Sequence, residues 1–151
     1  MNRLDFYTSI TPSTRQLEIQ SLGFYAFLHF GMNTFLDKEW SDGKASPSLF
    51  CPTQLDTDQW VRALRNAGMR GAILTAKHHD GFCLWPSKLT NYTVALSPYR
   101  NGKGDIVGEL SRSCAKYGLK FGIYLSPWDR HDERYGTPAY DEFYVGQLTE
   151  L

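Results

Sequence analysis

Parallel strands alternating with helices are what the sequence predicts, on two observations. Three short apolar runs, Phe24–Phe30, Gly71–Ala76 and Leu119–Leu125, start roughly 47 residues apart, and each is followed by a segment with helical apolar spacing. Each run also ends in hydrogen-bonding residues: His29 near the end of the first, Lys77-His78-His79-Asp80-Gly81 after the second, and Ser126-Pro127-Trp128-Asp129-Arg130-His131 after the third. In parallel α/β folds ligands sit outside the carboxyl ends of the strands. The class is α/β, and the strand-helix order, three times over, reads as the first three β/α units of a (β/α)8-like (TIM-type) barrel. A whole barrel takes roughly 250 residues and this chain has 151, so the barrel is expected to be incomplete here. An open α/β domain of flavodoxin-like size is the alternative; it would want five strands.

Each element has its own justification. Residues 1–22 form a polar lead-in with Pro12 and a short helix near Thr14–Gln20. Gly23 and Gly31 bracket the first strand, which is aromatic almost throughout. A long loop from Met32 to Asp56 follows; Phe35, Trp40 and Phe50 argue that it is ordered, and loops of this length are usually functional. Thr57 is read as the cap of a helix with an acidic first turn and with Trp60, Val61, Leu64 and Ala67 at helical spacing, closed by Gly68. The second strand, Gly71–Ala76, has the unbroken apolar character of a strand buried on both faces. A second long loop, Gly81–Gly104, leads to a helix capped by Asp105 and closed by Gly118. The glycines of Asn101-Gly102-Lys103-Gly104 match no phosphate-binding pattern and read as a turn into that helix. The last helix is expected from Thr137-Pro138, proline being favourable in a first turn.

Composition narrows the function classes. Sixteen basic and sixteen acidic residues give a formal net charge of zero, which supplies no attraction for nucleic acid or an anionic membrane. The three cysteines have no motif spacing and read as reduced thiols. Met1–Phe6 lacks an apolar leader core, so the chain as written is expected in the cytoplasm, or in the periplasm or outside the cell if a signal has been removed. Aromatic residues reach 15%; aromatics in excess of a core's needs can line a pocket for sugar or ring stacking, although large barrels are also aromatic-rich.

All four histidines lie at or just past a proposed strand end. In a regular strand His78 and His79 would point to opposite faces, and neither HxH nor HExxH occurs, so a metal is not expected. Imidazoles and carboxylates ringed by indoles and phenols suit a sugar, whose hydroxyls donate and accept and whose C–H face stacks on aromatic rings. The candidate substrate-binding residues are His29, Glu39, Trp40, His78, His79, Trp85, Tyr124 and Trp128.

At these residues the sequence resembles the α-L-fucosidases of glycoside hydrolase family 29. The stretches that carry the likeness are His29-Phe30-Gly31, Glu39-Trp40, Thr75–Phe82 with Trp85-Pro86-Ser87, Gly104–Val107, and Gly122–Trp128. The resemblance implies a (β/α)8-like catalytic domain occupying residues 1–151 and beyond, retaining hydrolysis of terminal α-L-fucosides on fucosylated glycans, and no metal or other cofactor. It implies that His29, His78 and His79 hydrogen-bond the fucose hydroxyls, with Glu39 and Trp40 at the rim and Tyr124 in the pocket. The Glu39-Trp40 pair and Ser126-Pro127-Trp128 look more like the subfamily acting on branched α-1,3/1,4-linked fucose. The family's nucleophile is an aspartate in a Trp-x-Asp-Gly context, which this sequence lacks; nucleophile and acid/base are expected beyond residue 151. A non-catalytic sugar-binding protein and, less favoured, a metal-dependent barrel hydrolase stay open.

Overall fold

The computed structural model describes residues 7–151; the Met1–Phe6 stretch, read above for the absence of a leader, lies outside the described residues. The fold is α/β around a three-stranded sheet, order β1-β2-β3, with both pairings parallel. Its elements are α1 (Thr14–Leu22), β1 (Ala26–Leu28), α2 (Met32–Leu36), α3 (Thr57–Asn66), β2 (Gly71–Lys77), α4 (Ile106–Tyr117), β3 (Lys120–Leu125) and α5 (Pro138–Glu150).

Local chemistry explains the boundaries. Ser13 accepts from the Gln16 backbone N–H and the Gln16 side chain accepts from the Ser13 N–H, a reciprocal cap that starts α1. Asp56, not Thr57, caps α3, with its carboxylate on the Gln59 N–H; Thr57 is the first helical residue, and its hydroxyl bonds Ser113 of α4 at 2.8 Å. Gly68 follows α3 at φ 83°, as expected of a left-handed terminus. Asp105 and Gly118 cap α4 as expected.

Two further expectations are corrected. The first strand is Ala26–Leu28 and not Phe24–Phe30: past Leu28 the backbone N–H and carbonyl of Phe30 bond the Thr75 hydroxyl in place of a ladder partner. The 32–56 loop holds α2 and a 3-10 turn at Pro47–Leu49. Phe35 of α2 packs edge-on against Phe30 and Phe50, ring centroids 6.0 and 4.9 Å away. The apolar contact makes a short helix that no periodicity announces.

One face of the sheet carries the core. Ala72, Leu74 and Ala76 of β2 and Leu125 of β3 pack with Val61 of α3 and Ile106, Leu110 and Cys114 of α4, all buried. The other face is open at β1, where Tyr25 and Phe27 remain 43% and 47% exposed. At the carboxyl end of β2 the register shifts between Thr75 and Lys77, so that Lys77 pairs with Leu125. The irregularity turns Lys77 toward α5 and frees the next two residues from strand alternation.

Candidate functional site

Lys77 closes β2 with a buried polar knot. Its ammonium, wholly buried, donates to Asp129 Oδ2 at 3.0 Å, Tyr140 OH at 3.1 Å and Gln147 Oε1 at 2.8 Å. All three of its protons are used, the condition under which a buried charge is tolerated. The other oxygen of Asp129 accepts the backbone N–H groups of His131 and Asp132. One ion pair thus ties the β2 end, the loop after β3 and helix α5 together.

Beyond that anchor the two histidines do not diverge. The chain leaves β2 after Lys77 and turns at Gly81, φ 84°, which brings the His78 and His79 rings to 4.2 Å. The His29 ring meets His78 at 5.2 Å, edge to face. Trp128 lies 4.8 Å from His79, and Trp40 touches both His79 and Trp128 at 6.0 and 5.8 Å. Five rings from three strand ends and one loop form a continuous wall.

The wall borders a cleft of about 440 Å³, lined by His29, His78, Thr75, Asn33, Glu39 and Asp80 among others. Burial pushes His78 down to about 4, helped by the neighbouring imidazoles, and burial with the His29 charge lowers His79 as well. Both are neutral near pH 7. The tautomer of His79 follows from its partner. Ser126 Oγ donates its one proton to the Trp128 carbonyl at 2.7 Å, so at His79 Nδ1, 2.7 Å away, it accepts. His79 Nδ1 therefore carries the hydrogen, and Nε2, without a partner among the described residues, is a lone-pair acceptor. Asp80 is buried, with Oδ1 on the Phe82 N–H at 2.9 Å and Oδ2 unpartnered; burial raises its carboxyl to about 6.

Of the eight residues expected to bind substrate, His29, Glu39 and His78 line the cleft, and His79, Trp40 and Trp128 form the adjoining wall. Tyr124 joins through Phe27, whose ring lies 5.7 Å from Tyr124 and 4.9 Å from His29. Trp85 is a correction: it is buried at 5% exposure in the core, and its indole N–H is spent on Glu150 at 2.9 Å. The fourth strand-end histidine, His131, is structural. Its Nδ1 donates to the Gly43 carbonyl at 2.6 Å and its ring stacks on Tyr92 at 4.2 Å.

The sequence model of the α-L-fucosidase family matches residues 29–149, a span that holds every residue of the wall and cleft. The chain belongs to the α-L-fucosidase family. A curated relative, α-L-fucosidase 1 of Arabidopsis thaliana, is 55% identical over 141 residues, covering 93% of this chain and 28% of that protein. Among solved structures, a glycoside hydrolase 29 family member from an unknown rumen bacterium superposes with a TM-score of 0.89 at 52% identity, over 92% of this chain and 25% of that one. A Ruminococcus gnavus GH29 fucosidase solved in complex with fucose gives 0.84 at 40% identity, over 93% of this chain and 32% of that one. The chain therefore spans about a quarter to a third of the length of these relatives.

Four residues that matter here were not singled out from the sequence: Lys77, Asp129, Ser126 and Asn33. A lysine directly after a largely apolar strand, next to Ala76, is the signal that was available for the first. The other three act through contacts between distant segments or through one loop turn, and no local pattern marks them.

Proposed function

We propose that this chain forms the fucose-gripping part of a retaining exo-α-L-fucosidase, on the first three β/α units of a (β/α)8-like barrel. The observation that carries this reading is the row His29–His78–His79, two of its members held neutral, fenced by Trp40 and Trp128 at the carboxyl ends of parallel strands. A neutral imidazole has one donor and one acceptor; His79 spends its donor on Ser126 and keeps Nε2 as an acceptor for a sugar hydroxyl, without drawing an anion. The indoles give the sugar's C–H face a surface. The fucose complex of the R. gnavus relative supports the choice of sugar.

The catalytic carboxyls are a separate matter. Retaining glycosidases need two carboxyl groups about 5–5.5 Å apart. Asp80 is buried with one oxygen held by Phe82, and no Trp-x-Asp-Gly stretch occurs, so we assign nucleophile and acid/base to later strands of the same barrel. Those strands would also cover Tyr25 and Phe27 on the open sheet face. Trp40 and Trp128, meeting edge to face at the rim, suit the branched α-1,3/1,4-fucosylated glycans.

Hydrolysis of an aryl α-L-fucoside separates the alternatives. The full protein should release the aglycone, and the isolated 151-residue chain should show negligible turnover and a tendency to associate through its uncovered strand edge. Turnover by the isolated chain would refute the division of labour. Fucose binding by the full protein without turnover would establish the non-catalytic sugar-binding reading instead.

A further inference from the structure

Trp40 poses a mechanical problem. It stands 54% exposed on a turn between α2 and the 41–43 segment, touching its neighbours only edge-on at 5.8–6.0 Å. Edge contacts of this kind are worth about 0.5–1.5 kcal/mol, too little to fix a half-solvated indole on a free loop. The turn must therefore be fixed by its backbone.

The backbone is fixed from one residue. The Asp37 and Lys38 N–H groups both donate to the Asn33 carbonyl, the latter at 3.2 Å. The Asn33 side-chain Nδ2 donates to the Glu39 carbonyl at 3.1 Å. Among the described residues, the hydrogen bonds that tie 37–39 to the body of the protein all end on Asn33. Asp37 adopts the left-handed conformation, φ 50° and ψ 47°, at the centre of this turn, which for a residue other than glycine needs the surroundings to hold it. Asn33 itself is set by α2, whose Met32 is wholly buried.

The arrangement has a cost. Asn33 Oδ1 is buried and has no partner. A buried acceptor left without a partner is unfavourable, by about 1–3 kcal/mol. The partnered end of the Asn33 amide is the Nδ2 that holds the Glu39 carbonyl.

We propose that Asn33 is the positioning residue of the sugar site: through the Glu39 carbonyl it holds the Glu39-Trp40 rim over the cleft. This rests on the fucose reading above for its substrate, and on the hydrogen bonds alone for its mechanics.

The test uses the full protein with Asn33→Leu, which removes the amide donor and the orphaned acceptor together, and Asn33→Asp, which replaces the donor by a carboxylate oxygen that repels the Glu39 carbonyl. For Asn33→Leu the expected result is a KM for the aryl α-L-fucoside raised about tenfold, kcat within about twofold, and a thermal midpoint within a few degrees of wild type. Backbone amides of 38–42 should exchange faster with solvent deuterium in both variants, and Asn33→Asp should also lose thermal stability. An unchanged KM in Asn33→Leu, or a loss of activity that tracks a lowered midpoint, would overturn the positioning role. If the wild-type protein neither binds fucose nor hydrolyses the fucoside, the sugar reading fails by itself; faster exchange at 38–42 still supports the mechanical role, and unchanged exchange refutes it.

Discussion

Lys77 and His79 stand two residues apart at one strand end and are treated in opposite ways. Lys77 is sealed from water and all three of its protons are used. His79 is partly exposed, with Nδ1 tied to Ser126 and Nε2 left open. The same contrast runs through the two regions they belong to. The Lys77–Asp129–Tyr140–Gln147 knot uses every proton of its buried cation, whereas the histidine row keeps ring nitrogens such as His79 Nε2 free of partners among the described residues. Saturated polar groups make the scaffold, and unspent ones next to a cavity make the site. A motif such as Lys77-His78-His79-Asp80 reads as one unit in sequence yet divides between these two tasks after its first residue.

The contrast can be broken from the scaffold side, where the largest effect is expected. Lys77→Met leaves the Asp129 carboxylate buried without its cation, and should cost about 3–5 kcal/mol of folding free energy, measured by urea unfolding of the full protein. Adding Asp129→Asn should recover part of that loss, since the stranded charge is then gone; a double variant as unstable as the two singles summed would mean that the pair is not coupled.

The site side should be sharpened by pH. His78 binds a proton less readily folded, at about 4, than unfolded, at 6.5. Its contribution to stability is complete above about 6.5 and is lost as pH falls toward 4. Asp80 runs the other way: its folded value of about 6 lies above the ordinary 3.8, so its contribution is complete below about 4 and is lost as pH rises through 6. His78→Gln should therefore flatten the acid limb of the stability profile, and Asp80→Asn the rise in instability toward neutrality. Unfolding midpoints at pH 4.5, 5.5 and 7.5 distinguish the two; parallel profiles for wild type and both variants would contradict the burial that sets these values.

The smallest effect belongs to the most exposed ring. Trp40→Ala should leave the thermal midpoint within about 1 °C, because a half-exposed indole buries little apolar area. It should raise KM for the fucoside by up to about tenfold, the scale of one aromatic contact. A stability loss comparable with that of the Lys77 variant would move Trp40 from the site into the scaffold.

The order of strands and helices was legible because buried strands and amphipathic helices leave apolar patterns of different period, and Asp105, Gly68 and Gly118 punctuate them. The first strand was overestimated because Phe24, Tyr25 and Phe27 look like core residues while remaining about half exposed. The histidines were found from their places at strand ends, but their convergence depends on the register shift after Thr75 and on Gly81, which alternation cannot anticipate. Trp85 shows the limit of composition: an indole in a loop beside the site and an indole in the core read alike until Glu150 arrives from 65 residues away to take its N–H. The scaffold role of Lys77 was illegible for the converse reason, since its three acceptors lie 52, 63 and 70 residues further along.

The Ser126 hydroxyl has a consequence for direction. It passes its proton outward to the Trp128 carbonyl and receives the proton of His79 Nδ1, so the chain of hydrogen bonds runs one way, and its open end at Nε2 takes a hydrogen and never gives one. A ligand hydroxyl seated there is read by its polarity as well as its place. A fluorine of the same size at that carbon would fill the space and still be refused, because it has no proton to hand over.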